Sequence, residues 1–437
     1  MKFFVSSLIL LYLLLQTAHA QSPWEMNSGI TTELTSSSNC IIPYWYGQGW
    51  ACGINGTVVR STRTTNQWLN VSGNGISSNV TLDNICGLDS NIAFVAGHLN
   101  ANTWVWKTTN GGNNWIQVFT QPNGRVNAVW MRNYLQGFIQ GNPVGSRWSI
   151  WKTTNGGNNW DSTGLYLPQA GSELGWPNSF CMPMLDYPTS DTGKIWFGTN
   201  NYRIYYSSNY GQSWNIQALP AEQNIYCIAF GTSRLYAGGN SHLFKSTNFG
   251  LNWTLDSAGG NGNITGITYC AWSYYLTREN KIYQNMFSSN WYPCFTAPAG
   301  NYTYLDNRGG GNGWFHYAVR TNGGITALWE VEGVQKISSE IPNGFSLSQN
   351  YPNPFNPVTK IKFDIAKLGN VKLIIYDILG REVTALVNEQ LKAGTYETEW
   401  DASNYPSGVY FYKLVVSGAE PLITSGYTET RKMVLVK

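Results

Sequence analysis

The chain has 437 residues, only 12% of them charged and 15% aromatic, with 20 Trp and 46 Gly. That balance excludes a disordered chain, which needs many charges and few aromatics, and favours strands and tight turns over helices. A formal net charge of +3 without a basic run also excludes the electrostatic footprint of a nucleic-acid-binding protein.

The chain opens with an export address. Lys2 gives the positive start, Val5 to Leu15 form an apolar stretch too short to span a bilayer, and Ala18-His19-Ala20 has the pattern of a cleavage site. Cleavage is expected between Ala20 and Gln21, and the absence of a Cys at that point excludes lipoprotein anchoring there. No later stretch reaches the ~18 apolar residues of a spanning helix, so a protein soluble outside the cytoplasm is expected, not an integral membrane protein.

The rest of the chain splits by composition. Residues 21–330 hold 15 Lys+Arg and 13 Asp+Glu, whereas residues 331–437 hold 11 of each in a third of the length. All the tryptophans but Trp400 lie before this boundary. The reading is a signal peptide at 1–20, a repeat domain at 21–335, a polar Pro/Gly linker at 336–344 and a second domain at 345–437.

The repeat organises the first domain. Trp106 to Trp115 and Trp151 to Trp160 are the same ten-residue string, and looser copies run from Ser207 to Trp214 and from Ser246 to Trp253. Degenerate copies end at Trp68 and Trp291, and another begins at Thr321. Trp24 to Gly29 looks like Trp68 to Gly73, so it reads as an outer strand without the rest of its repeat. The series Trp24, Trp68, Trp115, Trp160, Trp214, Trp253, Trp291 has steps of 44, 47, 45, 54, 39 and 38 residues, the period of a four-stranded propeller blade. The expectation is a seven-bladed β-propeller in which the Trp24 strand completes the last blade and removes an exposed edge.

The repeated string has the chemistry of a hairpin. Its Ser or Thr and its Asn (Asn110, Asn155, Asn209, Asn248) bond loop amides. The Gly two positions later (Gly112, Gly157, Gly211, Gly250) accepts a positive φ, and the closing Trp (Trp115, Trp160, Trp214, Trp253) wedges between sheets. This string resembles the Asp box of BNR-type propellers, with Asn where Asp is usual. Gly49 to Arg60 also resembles the blades of photosystem II assembly-factor-like propellers. The resemblance covers about 310 residues and implies a fold, not an activity.

Of the seven cysteines, Cys40, Cys86, Cys181, Cys227 and Cys270 fall in first strands, where small buried residues suit one ring; Cys52 and Cys294 lie elsewhere. If a disulfide forms, Cys40–Cys52 is the expected one. No zinc-type spacing occurs, no cofactor is expected, and nothing assigns a structural Ca²⁺.

A catalytic pattern is hard to find. His98, His242 and His316 sit in different repeats, and no G-x-S-x-G, P-loop or H-E-x-x-H occurs. Asp83, Asp89, Asp186, Asp191 and Asp306, near inner-strand ends, are the candidates for the two carboxylates of a glycosidase, although Asp in turns serves local hydrogen bonds. Sialidases share the Asp box, but their Arg-Ile-Pro motif is missing; xyloglucanases of related architecture use two propellers. Trp104, Trp106, Trp148, Trp151, Trp196, Tyr202, Tyr205 and Tyr206 alternate along strands as sheet-packing residues do. Trp45, Trp50, Trp176, Trp272 and Trp314 lie nearer blade ends, where a ligand meets a propeller.

The tail carries the sharpest signal. It holds Tyr351-Pro352-Asn353-Pro354-Phe355-Asn356-Pro357, then alternating strands at Ile361 to Ile365, Val371 to Tyr376, Gly394 to Asp401 and Ser407 to Leu414, and a terminal strand at Arg431 to Lys437. Alternation alone gives a small antiparallel β-sandwich, Ig-like, of about seven strands. Together with Gly380-Arg381, Gly408, Tyr410, Lys432 and Lys437, the string resembles the type A C-terminal sorting domain of the type IX secretion system. That resemblance implies passage through the periplasm, recognition by an outer-membrane translocon, removal by a tail-processing enzyme, and a Gram-negative source of the Bacteroidetes–Chlorobi kind. The terminal strand reads as an edge open to a receptor. The overall expectation is an all-β, secreted or surface-attached, non-enzymatic module for an extracellular glycan or protein ligand; the alternative is a sialidase- or xyloglucanase-like hydrolase.

Overall fold

The computed structural model describes residues 23–26, 28–40, 48–61, 67–182, 193–231, 234–270, 273–285, 290–307, 315–329, 335–338, 340–367, 369–391, 393–402, 405–418 and 426–436. Among these the chain is all-β, without a helix, and its strands pair antiparallel. It divides into two units, one of Gln21–Glu330 and one containing Val331–Lys437. The expected cleavage site at Ala20 and Gln21, together with Trp45, Trp272, Trp314, Asp186, Asp191 and Lys437, lies outside the described residues.

The first unit holds seven sheets among the described residues. Their first strands, which number sheets 1 to 7 below, are Leu34–Asn39, Thr81–Gly87, Val126–Met131, Gly175–Cys181, Ile225–Phe230, Ile264–Cys270 and Tyr302–Leu305. Each first strand packs against the first strand of the next sheet, and Tyr302–Leu305 packs against Leu34–Asn39, so the succession closes on itself. Squeezed between neighbours on both sides, these strands need small or apolar residues rather than a clean alternation. Leu34–Asn39 shows how serine meets that demand: Ser37 Oγ donates to Tyr317 O at 2.5 Å in sheet 7, while Ser38 Oγ accepts from Gly87 N at 2.9 Å in sheet 2.

Sheet 7 is completed from the other end of the unit. Trp24–Met26 pairs with its strand Ile325–Trp329 in the register Trp24↔Ala327, Glu25↔Thr326, Met26↔Ile325. The Glu25 carboxylate accepts from the Arg320 guanidinium and, at 3.1 Å, from Thr326 Oγ1, and Ser28 Oγ donates to Gly323 O at 2.7 Å. Met26 shares one core cluster with Leu34, Ala51 and Trp68 of sheet 1 and with Tyr317 and Ile325 of sheet 7.

One irregularity recurs. Where first and second strands pair in sheets 1, 2, 3, 5, 6 and 7, a single residue is skipped near the strand start: Thr35, Asp83, Asn127, Tyr226, Thr265 and Thr303. A bulge re-aims its side chain, so these six residues are set apart at equivalent levels of the ring. Two of them tie sheets together, Thr303 Oγ1 donating to Leu34 O and Thr35 Oγ1 to Leu82 O, each at 2.5 Å.

In the second unit, one sheet has the order Gln335–Ser338, Gly394–Asp401, Val358–Ile365, Ser346–Leu347. The other has the order Glu382–Leu391, Gly369–Tyr376, Gly408–Gly418, Tyr427–Leu435. Alternate residues of both sheets, among them Ile361, Phe363, Trp400, Leu373, Tyr412, Leu414 and Met433, meet in one core. The start of this unit differs from the sequence expectation. Gln335–Ser338, read as the end of the repeat domain and the start of the linker, pairs with Gly394–Asp401, because backbone pairing does not require the apolar alternation by which strands are recognised.

Candidate functional site

The repeated strings form four hairpins of the same construction. Thr108 Oγ1 accepts from Gly112 N at 3.0 Å and donates to Asn110 Oδ1 at 3.0 Å, and Asn110 Oδ1 also accepts from Asn114 N at 3.0 Å. The same three bonds recur at Thr153, Asn155, Gly157 and Asn159; at Ser207, Asn209, Gly211 and Ser213; and at Ser246, Asn248, Gly250 and Asn252. One hydroxyl and one amide oxygen thereby satisfy the amides of a turn whose glycines stand at φ of 86°, 75°, 79° and 84°. The tryptophans that follow pack on neighbouring sheets: Trp115 edge-on to Trp50 at 5.9 Å, Trp160 to Phe119 at 6.5 Å, and Trp68 to Tyr317 at 5.1 Å. Trp253 clusters with Trp196 of the preceding sheet, and Trp214 lies edge-on to Phe197 of its own. Every polar atom of the motif that makes these bonds is occupied by the hairpin itself.

Asp83, Asp89 and Asp306, the described candidate acids, are each engaged separately. Asp83, at its bulge, is 2% exposed and accepts from Arg125 Nη2 and His98 Nδ1, each at 2.6 Å. Asp89 lies past the other end of the same strand, where it caps the turn amides of Asn91 and Ile92 at 2.6 and 2.8 Å and meets Tyr134 Oη at 2.8 Å. Six residues of extended chain separate them by roughly 20 Å, well beyond the ~5–10 Å of a glycosidase pair. Asp306 is fully buried and accepts from Asn39 N at 2.7 Å.

The histidines are equally dispersed. His98 belongs to the Asp83 cluster, His242 lies exposed beside Ser241, and His316 is buried with Nδ1 against Asp306 O at 3.1 Å and Thr268 Oγ1 at 3.0 Å. Since a carbonyl only accepts, Nδ1 carries the proton, and Nε2 has no partner among the described residues. Burial lowers the His316 pKa below the ordinary imidazole value.

Of the described aromatic candidates, Trp50, Trp106, Trp148, Trp196 and Tyr205 are buried in the sheets, Trp104, Trp151 and Tyr206 are half-buried and Tyr202 is exposed. Trp176, also half-buried, lies edge-on to the bulge residue Tyr226 at 4.8 Å. The Tyr226 hydroxyl accepts from Asn224 Nδ2 at 3.1 Å and Asn240 Nδ2 at 2.9 Å, which holds the ring at the junction of sheets 4 and 5.

The seven cysteines stand as thiols, so the Cys40–Cys52 bridge, the one expected if any disulfide forms, is not made. Cys40 lies opposite Gln48, whereas Cys52 pairs with Ser36, four residues along the same hairpin. That offset is about 13 Å, twice what a disulfide spans. Burial pushes the Cys181 thiol up to about 12 and raises Cys40 and Cys227 as well, so none of these is a ready nucleophile.

Three buried ionic clusters carried no readable signature. Glu173, fully buried, accepts from Arg203 Nη1 at 3.0 Å and Tyr205 Oη at 2.6 Å; burial and this carboxylate push Tyr205 up to about 12. Arg320 meets Glu25, 295 positions away. Arg278, 2% exposed, donates to carbonyls of two segments of the preceding sheet, Gly259 O at 3.3 Å in the loop after it and Ser241 O at 3.2 Å in one of its turns. Among the described residues, no cluster of three or more His, Cys, Asp or Glu forms a metal site.

In the tail, Asn350 and Phe355 are buried while Tyr351, Pro352, Asn353, Pro354 and Asn356 are exposed and Pro357 is half-buried. Gly380 and Arg381 form an exposed turn closed by Arg381 Nε on Asp377 Oδ2 at 2.7 Å. Gly408 opens the long strand Gly408–Gly418, and Tyr410 is buried edge-on to Trp400 at 5.2 Å. Lys432 is exposed on the last strand. That strand is not the open edge expected from the sequence. Phe355 N donates to Val434 O and Phe355 O accepts from Val436 N, both at 3.0 Å, because the proline-rich segment folds back alongside it.

Comparison with known proteins agrees with this division. Residues 349–421 match the family described as the secretion system C-terminal sorting domain. Among solved structures, "YCF48 bound to D1 peptide" is similar with a TM-score of 0.54 and 13% identity, over 71% of this chain and 97% of that one. YCF48 from Cyanidioschyzon merolae gives 0.55 and 14%, over 70% and 99%, and Sqt1 from Saccharomyces cerevisiae gives 0.50 and 9%, over 72% and 100%. No curated protein matches the chain in sequence. At such identities the likeness is one of fold, and the YCF48 structures are β-propellers. The chain thus joins a β-propeller to a C-terminal sorting domain that marks it for type IX export, to the cell surface or beyond.

Proposed function

We propose that this chain is a non-enzymatic binding or adhesion module: a seven-bladed propeller with Asp-box-like hairpins, closed by Trp24–Met26. A type A, Ig-like sorting domain carries it out through the type IX translocon after signal cleavage at Ala20. Its partners are the outer-membrane translocon, a tail-processing enzyme and an extracellular glycan or protein, in a bacterium of the Bacteroidetes–Chlorobi kind. The observation that carries this reading is the engagement of the described acid candidates. Asp83 is neutralised by Arg125, Asp89 serves its own turn, and Asp306 is sealed in the core.

The ligand is assigned to the end of the ring where the bulges lie. There Trp176 and Tyr226 present an aromatic corner beside the amides of Asn224 and Asn240, a combination suited to a sugar ring with hydroxyls at its rim. A glycan array and a panel of chromogenic glycosides, both run on the isolated propeller, test this. Binding that Tyr226→Ala weakens, without release of chromophore, supports the module; turnover of any glycoside would establish the hydrolase instead.

A further inference from the structure

The matched sorting region ends at residue 421, whereas the last strand, Tyr427–Leu435, lies beyond it. The structure joins the two. One edge of that strand pairs with Gly408–Gly418, from Val416↔Tyr427 to Gly408↔Leu435. The other edge is covered by the proline-rich segment. Phe355 bridges Leu435 in parallel through its bonds to Val434 O and Val436 N. Asn353 Oδ1 accepts from Val434 N at 2.9 Å, and Gln349 Nε2 donates to Lys432 O at 2.9 Å.

Two side chains anchor this segment from within. Asn350, 2% exposed, donates through Nδ2 to Thr359 Oγ1 at 2.9 Å and Pro352 O at 3.0 Å, and its own N–H donates to Tyr412 Oη at 2.8 Å. Phe355, also 2% exposed, packs on Trp400 at 5.5 Å. Between the anchors the chain turns outward. Tyr351 is 81% exposed, Pro352 and Pro354 flank Asn353 in solvent, and Lys432 stands exposed on the neighbouring strand. A tyrosine ring held in water between two buried anchors, Asn350 and Phe355, contributes little to its own domain, and rigid prolines lose little entropy on docking.

We propose that Tyr351, Pro352, Pro354 and Lys432 form one receptor-facing surface, read by the outer-membrane secretion receptor through an apolar slot for the Tyr-Pro pair and a carboxylate for Lys432. Its two halves, as at Asn353 and Val434, lie 81 positions apart and are brought together by edge bonds and by the shared core of Phe355, Met433 and Leu435. The surface therefore exists only in a folded tail, and the signal reports folding as well as destination. This inference rests on the export reading and goes beyond it, because a linear signal in either segment would serve export equally well.

The test uses the full chain in a host with type IX machinery, followed by cell fractionation and thermal melting of purified protein. Tyr351→Ser is expected to melt like the parent and to lower the exported fraction about tenfold or more, as loss of an aromatic anchor does. Tyr351→Phe restores export, and Asn353→Ala, which releases Val434 N, lowers it. Normal export of both Tyr351→Ser and Asn353→Ala would overturn the surface while leaving the export reading intact. A lowered melting temperature for Tyr351→Ser would make the ring a structural one and overturn it too. Retention of the unaltered chain would overturn the export reading and, with it, this surface.

Discussion

Deleting residues 21–29 should cost the first unit much of its stability, although the segment is short. Arg320 is 2% exposed, and without Glu25 its guanidinium keeps, among the described residues, the Ala299 carbonyl at 3.0 Å and the Tyr302 ring at 5.7 Å but no carboxylate. Breaking a buried pair costs about 3–5 kcal/mol, and the lower figure applies because Glu25 is 34% exposed. Losing the buried Met26 side chain, now 9% accessible, from its core cluster adds about 2 kcal/mol, and losing the bond from Ser28 to Gly323 adds about 1. Together these approach 6 kcal/mol, comparable with the whole stability of many domains, ~5–15 kcal/mol. The strand Ile325–Trp329 also becomes an unpaired edge, so the truncated protein should self-associate. Urea unfolding followed by Trp fluorescence, with chains beginning at Gln21 and at Ile30, reads the difference. Coincident midpoints and a monomeric truncated protein would refute the reasoning.

Two further outcomes follow from the hairpins and the buried histidine. At Gly157 (φ 75°) a Cβ would run into the Phe94 ring, whereas at Gly145 (φ 63°) it meets nothing within 4 Å. Gly157→Ala should therefore cost about 2–4 kcal/mol and Gly145→Ala only about 1, measured by denaturant unfolding; equal losses would show that the hairpins are not wedged between sheets. Burial depresses the His316 pKa below its ordinary 6.5, so the unfolded chain takes up the proton first. The stability it contributes is complete above about pH 6.5 and is lost as pH falls from there through the folded-state value. Melting between pH 7.5 and pH 5.5 should drop further in the parent than in His316→Gln; parallel profiles would contradict this.

What was legible in the sequence was local. The hairpins announce themselves because Thr108, Asn110 and Gly112 satisfy one another within five residues, and the same chemistry recurs at each copy. Trp24–Met26 was legible for a related reason, since its string copies the outer strand that begins at Trp68. What escaped depends on register or on long-range pairing. Cys40 and Cys52 share a hairpin, yet the register puts four residues between them. Glu173 is one carboxylate in a polar loop, and nothing in its neighbourhood foretells that Arg203 and Tyr205 close over it. Asp83 and Asp89 are both candidate acids in sequence, and the extended strand between them keeps them apart. The cover on the last strand was hidden most completely, because Phe355 reaches it through backbone groups that every residue carries and Asn353 through one amide oxygen 81 positions away.

Export through the tail is the central claim, and one measurement addresses it directly. Residues 335–437 are fused to an unrelated protein with its own signal peptide, and a host with type IX machinery is fractionated, beside the same fusion lacking 431–437. The account predicts that the complete fusion reaches the cell surface or the medium, while the shortened one stays in the periplasm with its passenger folded. Equal amounts of both outside the cell, or retention of both in the periplasm, would contradict it.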